Sequence, residues 1–117
     1  MTKPNSYMQI SKTVIDEKYV TKFIAEENGK TVGRAFLYLI YNDLHKEPYG
    51  LLEDVFVDEV YRGKGVGTLL IKAIIEEAKA RRCVKIRFTS RRIREDAHKW
   101  YEKLGFEKYG YAFKMDL

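Results

Sequence analysis

The sequence is poor in the residue types that several functions require. One cysteine, Cys83, excludes an internal disulfide framework, and with only His45 and His98 beside it a zinc cluster lacks a ligand set, so no metal is expected. Neither histidine has a detectable triad partner. No apolar run approaches the roughly 20 residues that span a bilayer. The N-terminal MTKPNSYMQISK has no apolar centre of the kind a signal peptide carries, so a cytoplasmic protein without a membrane partner is expected. There are two prolines, Pro4 and Pro48, no repeat and no low-complexity tract, which predicts a single domain over residues 1–117.

What is present is a composition of 45% hydrophobic and 33% charged residues, suited to one globular core. The formal net charge of +5 suits a polyanionic partner, either nucleic acid or a phosphorylated cofactor. Charge alone does not choose between them.

In YVTKFIAEENGKTVGRAFLYLIY two strand-like runs flank Asn28-Gly29, a dipeptide suited to a type I′ hairpin turn. MQISKTVI predicts an edge strand before it. LLEDVFV predicts a fourth strand, reached through a polar loop NDLHKEPYG. From Val66 the period changes: Leu69, Leu70, Ala73 and Ile74 share a helical face, and the helix is expected to run to about Arg82. VKIRFT alternates as a strand, EDAHKWYEKLGF predicts a second helix closed by Gly105, and YAFKMDL alternates Tyr111, Phe113, Met115 and Leu117 as a last strand. The fold class is α/β, with a mixed sheet.

Between the fourth strand and the first helix lies YRGKGVGT. Glycines there let an anion approach the main chain, and the helix start offers N–H groups and the positive end of its dipole, so with Arg62 and Lys64 nearby a diphosphate is the natural ligand. Gly63, Gly65 and Gly67 fit neither a Walker loop nor a dinucleotide fingerprint. Taken alone, they also suit a plain tight connection.

The run Arg62-x-x-Gly65-x-Gly67 after a strand, then an amphipathic helix, a strand and WYEKLGF, resembles the GNAT superfamily of acetyl-CoA-dependent N-acetyltransferases over residues 51–106. The resemblance implies a mostly antiparallel mixed sheet flanked by helices. It implies acetyl-CoA as donor, with Arg62, Gly63, Lys64, Gly65, Val66, Gly67 and Thr68 around its diphosphate. It also implies a fourth strand diverging from the fifth, so that Val55, Phe56 and Val57 pair with the pantetheine arm. LEDVFVDEVYRGKGVG is most similar to diamine acetyltransferases and somewhat similar to glucosamine-phosphate acetyltransferases, which implies a primary amine or a lysine side chain as acceptor. Two departures stand out. The helix pair that usually follows the first strand is shortened or absent, which makes a homodimer completing the acceptor pocket a candidate arrangement. Arg94 stands where the family commonly has asparagine; it is taken as a cofactor contact, the run RRIRED being a candidate for the 3′-phosphate or an acidic substrate, with a solvated charged loop the commoner outcome for such a run.

An alkyl amine with pKa near 10.4 is protonated at pH 7, and reaching its neutral form costs roughly 4 to 5 kcal/mol. A base is needed. Strict alternation sends Glu53 and Asp54 to opposite faces, with Glu53 sharing the parity of Val55 and Val57. The resemblance places an acid at Glu53 near the amine, so Glu53 is the expected base, directly or through water, and Asp54 is structural. Tyr101 matches the family's proton donor to the departing thiolate and also contacts the cofactor. Trp100 is expected in the core, and Cys83 as a buried structural residue where helix meets strand. Two alternatives remain: an acetyl-CoA-binding sensor without catalysis, and nucleic-acid binding through Arg81, Arg82, Arg91, Arg92 and Arg94. The second is weaker, because no nucleic-acid reading element accompanies the charge.

Overall fold

A computed structural model of the chain describes residues 8–16, 19–90 and 95–117. Four antiparallel strands come first: β1 (Met8–Asp16), β2 (Val20–Glu27), β3 (Lys30–Asn42) and β4 (His45–Val57). The helix α1 (Val66–Ala80) leads to the short strand β5 (Ile86–Arg87), and α2 (Glu95–Lys103) follows. The sheet order is β1-β2-β3-β4-β5, with β5 parallel to β4.

Asn28 and Gly29 take φ of 52° and 79° between the paired residues Glu27 and Lys30, as a two-residue type I′ turn requires. The polar loop expected at 42–50 is strand instead: β4 begins at His45, paired with Asn42. A polar alternation on a sheet's outer face reads as a loop until its partner is known. β1 is the expected edge strand, and because β2 starts at Val20, no helix pair lies between them.

The core is laid down between one sheet face and α1. Phe23 and Ala25 of β2, Val32, Ala35, Leu37 and Leu39 of β3, and Leu52 of β4 meet Val66, Leu70, Ile71, Ile74 and Ala78. The buried stripe of α1 is thus turned from the expected one, with Leu69 and Ala73 only half-buried. The helix ends at Ala80 rather than Arg82, whose φ is +61°. Lys12 of β1 and Arg81 both bind Glu77, at 2.7 and 3.1 Å, tying the edge strand to α1.

After α2, Gly105 donates to Glu102 O and Phe106 to Tyr101 O, the paired bonds of a Schellman cap, with Gly105 at φ 105°. The final strand expected at 111–117 is not formed, and Tyr111, Phe113, Met115 and Leu117 are exposed. Period-2 patterning makes a strand only where a neighbouring edge takes up its backbone bonds. The strand expected over 84–89 is likewise reduced to Ile86–Arg87.

Candidate active site

β4 and β5 run together only briefly. Gly50 pairs with Ile86 and Leu51 with Arg87; there the ladder stops, although β4 continues to Val57. Beyond Leu51 no described residue pairs with that edge, so the sheet leaves its outward backbone groups unpaired.

Within this stretch β4 carries a bulge. Arg34 pairs with Phe56 and Phe36 with Glu53, so β4 fits one extra residue against β3, and Asp54 sits at φ +54°. The bulge reverses the parity. Leu52 points into the core, Glu53 away from it, Val55 and Val57 pack against the core, and Phe56 is outward and 39% exposed. The expectation that Glu53 shares a face with Val55 and Val57 is therefore overturned: Glu53 and Phe56 share the face opposite α1.

At the end of β4 the chain makes a short 3-10 turn over Glu59–Tyr61 and enters the glycine segment. Gly63 and Gly65 have φ of 77° and 86°, the left-handed region that disfavours side chains. Gly65 caps α1 without any side-chain cap bond, and the first turn carries no acidic residue. Leu69 donates to Gly65 O at 3.1 Å, so the N–H groups of Val66 and Gly67 precede the helix's first bond and aim out of its start. The dipole adds positive potential there. A Cβ at Gly63 would touch nothing within 4 Å, so this glycine is required by backbone shape.

Gly67 serves a different purpose. A Cβ there would lie 3.2 Å from Trp100 Cη2, and the Trp100 indole donates to Thr68 Oγ1 at 3.0 Å. The third glycine thus lets α2 cross the first turn of α1. Arg62 is turned back on the strand: its Nε donates to Val57 O at 2.9 Å and its guanidinium lies 5.7 Å from the Phe56 ring centre. Lys64 sits over Tyr61.

This crossing positions Tyr101. Its ring lies 4.5 Å from Phe88, just past β5, and 4.9 Å from Trp100, and Phe106 closes a triangle of rings at 5.0 Å from Phe88 and 6.3 Å from Tyr101. Glu53 is exposed on the sheet face opposite α1, whereas Tyr101 sits on α2 among Phe88, Trp100 and Phe106, with Trp100 bonded to Thr68 of α1. Arg94, Arg91 and Arg92 lie outside the described residues. Cys83 is half-buried at the join of α1 and β5, and burial pushes its thiol pKa up, the opposite of an activated nucleophile. Among the described residues no group of three His, Cys, Asp or Glu is placed to hold a metal, and no helix is long and apolar enough to cross a membrane.

Sequence reasoning missed the bulge at Asp54 and the pairing of Arg34 with Phe56, where the Arg34 guanidinium lies 5.0 Å from the ring centre. A bulge has no signature in alternation alone; the Asp in an otherwise β-forming run was its one available sign.

This geometry can be set beside known proteins. A glucosamine 6-phosphate N-acetyltransferase of Trypanosoma brucei brucei is 35% identical over 100 residues, covering 84% of this chain and 66% of that protein. An uncharacterised N-acetyltransferase of Methanocaldococcus jannaschii is 35% identical over 89 residues, covering 74% of this chain and 38% of its own length. The chain thus spans less than two thirds of these curated relatives. The crystal structure of a Trypanosoma brucei acetyltransferase superposes with a TM-score of 0.79 at 30% identity, covering 86% of this chain and 71% of that one. Residues 3–106 match the Acetyltransferase (GNAT) family. By this match over most of its length, and by a five-stranded mixed sheet that opens beside a glycine-capped helix, the chain belongs to the GNAT acetyltransferase family.

Proposed function

We propose that the chain transfers an acetyl group from acetyl-CoA to a primary amine by direct attack, with both substrates bound together. The observation that carries this is the unpaired edge of β4 beyond Leu51, ending at the start of α1, where the Gly65 cap offers no side chain to the free N–H groups. The two features fit the two halves of the donor. Backbone groups of Val55, Phe56 and Val57 can pair with an amide-bearing arm as with an added strand, and the amides at Val66 and Gly67 suit its diphosphate. The bound donor supplies an activated acetyl group as a thioester.

The chain's own groups handle the protons. Glu53, exposed on the face opposite α1, is suited to take the proton of an ammonium that approaches from that face, directly or through water. As the amine nitrogen bonds to the acetyl carbon and the carbon–sulfur bond breaks, the departing sulfur needs a proton, for which the Tyr101 hydroxyl, at the position that matches the family's donor, is the candidate. No covalent bond to the enzyme is needed.

The test is calorimetric. Acetyl-CoA should bind the parent chain, and Gly65→Val should weaken binding at least ~10-fold, because a branched residue at φ +86° costs backbone strain and crowds the diphosphate. Unchanged affinity in a folded variant would remove the cofactor assignment. One observation favours a second function, an acetyl-CoA-binding module without catalysis: β1 passes to β2 with no helix pair to wall an acceptor pocket. Mass spectrometry of amines incubated with acetyl-CoA separates the two, since only the enzyme produces acetylated amine.

A further inference from the structure

The sheet face opposite α1 has an ordered charge pattern. Three cross-strand rows run over it: Val20, Tyr38, Leu51 and Arg87; Lys22, Phe36 and Glu53; Ile24, Arg34 and Phe56. Glu53 lies in the middle row. Arginines stand in the rows on either side: the Arg34 guanidinium lies over Phe56 of its own row at 5.0 Å, the Arg87 guanidinium reaches away from Glu53 to lie over Tyr49 at 4.7 Å, one row further on, and Lys22 lies over Phe36 at 5.6 Å in Glu53's own row. Neighbouring strands are about 4.8 Å apart and successive same-face residues about 7 Å, so a small molecule can span the one row from Glu53 to Arg34, and a longer one the two rows to the Arg87 guanidinium over Tyr49.

The ion pairs among the described residues are Lys12 and Arg81 with Glu77, Lys79 with Glu76, and Lys114 with Asp116. None involves Lys22, Arg34 or Arg87. Their cations rest on aromatic faces, which orients them without neutralising them. Lys85, also over Tyr49, and Arg62, also over Phe56, add to the same sign. Among the described residues Glu26 and Glu47 are acids toward the ends of this face, and exposed Asp54 of the bulge stands beside Glu53.

We propose that the acceptor is a primary amine that also carries an anionic group, phosphate or carboxylate, with its amine at Glu53 and its anion held by Arg34 or Arg87. This rests on the acetyltransferase function above and adds the charge class of the substrate. A guanidinium presents a planar fork that matches phosphate and carboxylate. The second ammonium of a diamine, by contrast, would have to approach the cations in the flanking rows.

The experiment compares acceptors of matched size: O-phosphoethanolamine, β-alanine, ethanolamine and putrescine, with glucosamine 6-phosphate against glucosamine as a sugar pair. An anionic member is expected to exceed its neutral counterpart in kcat/KM by roughly 10-fold or more, as a charge-assisted hydrogen bond allows. Preference for the phosphate or for the carboxylate names the source of the anion. Arg34→Gln and Arg87→Gln, in protein that still binds acetyl-CoA, should shrink the ratio, as should added salt. Equal use of ethanolamine and the anionic amines, a preference for putrescine, or a ratio unmoved in the double variant would overturn the proposal. If no amine is acetylated, the enzymatic function fails and the anion site is read by itself, by calorimetry with O-phosphoethanolamine. Binding lost in the double variant then supports the site. Absence of binding, or tight salt-sensitive binding of an oligonucleotide without small-anion binding, overturns it.

Discussion

Trp100 crosses α1 directly over Gly67, where a Cβ would stand 3.2 Å from its Cη2. Through this contact α2 is seated and Tyr101 is brought beside Phe88. Gly67→Val should displace the indole and cost about 1 to 3 kcal/mol, the usual range for overpacking. Trp100 is the single tryptophan, so its emission should shift to the red as its surroundings become wetter. Emission and melting temperature both unchanged would show that α2 is held by other contacts.

The bulge at Asp54 is also testable. A non-glycine residue at φ +54° carries strain, so Asp54→Gly should stabilise the chain by up to ~1 kcal/mol in a denaturant titration. Asp54→Val should destabilise it and lower turnover, because β-branching resists the left-handed region and the bulge aims Glu53. A stable, fully active valine variant would show that β4 reaches the same geometry without it.

Glu77 is 10% exposed, and the hydrogen bond from Lys12 is the largest cause lowering its pKa below the ordinary 4.5; burial opposes this, and Arg81 adds to the lowering. A carboxylate whose folded pKa is depressed stabilises the fold above its unfolded pKa, and that contribution is lost as pH falls through the folded value. The chain should therefore lose stability below about pH 4.5. Glu77→Gln should lower stability at pH 7 by about 1 kcal/mol, since Lys12 is exposed enough for water to screen it, and flatten the acid limb. Equal slopes in parent and variant would assign acid sensitivity to other carboxylates.

For the chemical step, Tyr101→Phe should leave acetyl-CoA affinity in place and reduce kcat at least ~10-fold, within the usual worth of a general acid. The ring keeps its packing against Phe88 and Trp100. Glu53→Gln should move the alkaline rise in rate to higher pH, because deprotonation of the amine then falls to solvent. Parent turnover in Tyr101→Phe, with chemistry limiting, would reduce that residue to packing.

Much of this molecule was determined by short-range rules. Asn28-Gly29 sets a hairpin because both residues accept positive φ at little cost. Gly63 and Gly65 mark the strand-to-helix turn for the same reason, and the WYEKLGF run carries its own helix stop at Gly105. The missing helix pair was legible as sheer shortness between two strand patterns. Tertiary structure decided what depends on partners. Alternation put Glu53 on the side of Val55, and one extra residue at Asp54 reversed it, because parity is counted along a ladder and a bulge exists only relative to the strand it faces. Gly67 reads as a phosphate glycine until Trp100 is seen to lie on it. The alternating Tyr111 to Leu117 remains outside the sheet for a related reason. A strand needs a neighbour's backbone, and no one-dimensional pattern specifies which edges the rest of the fold leaves open.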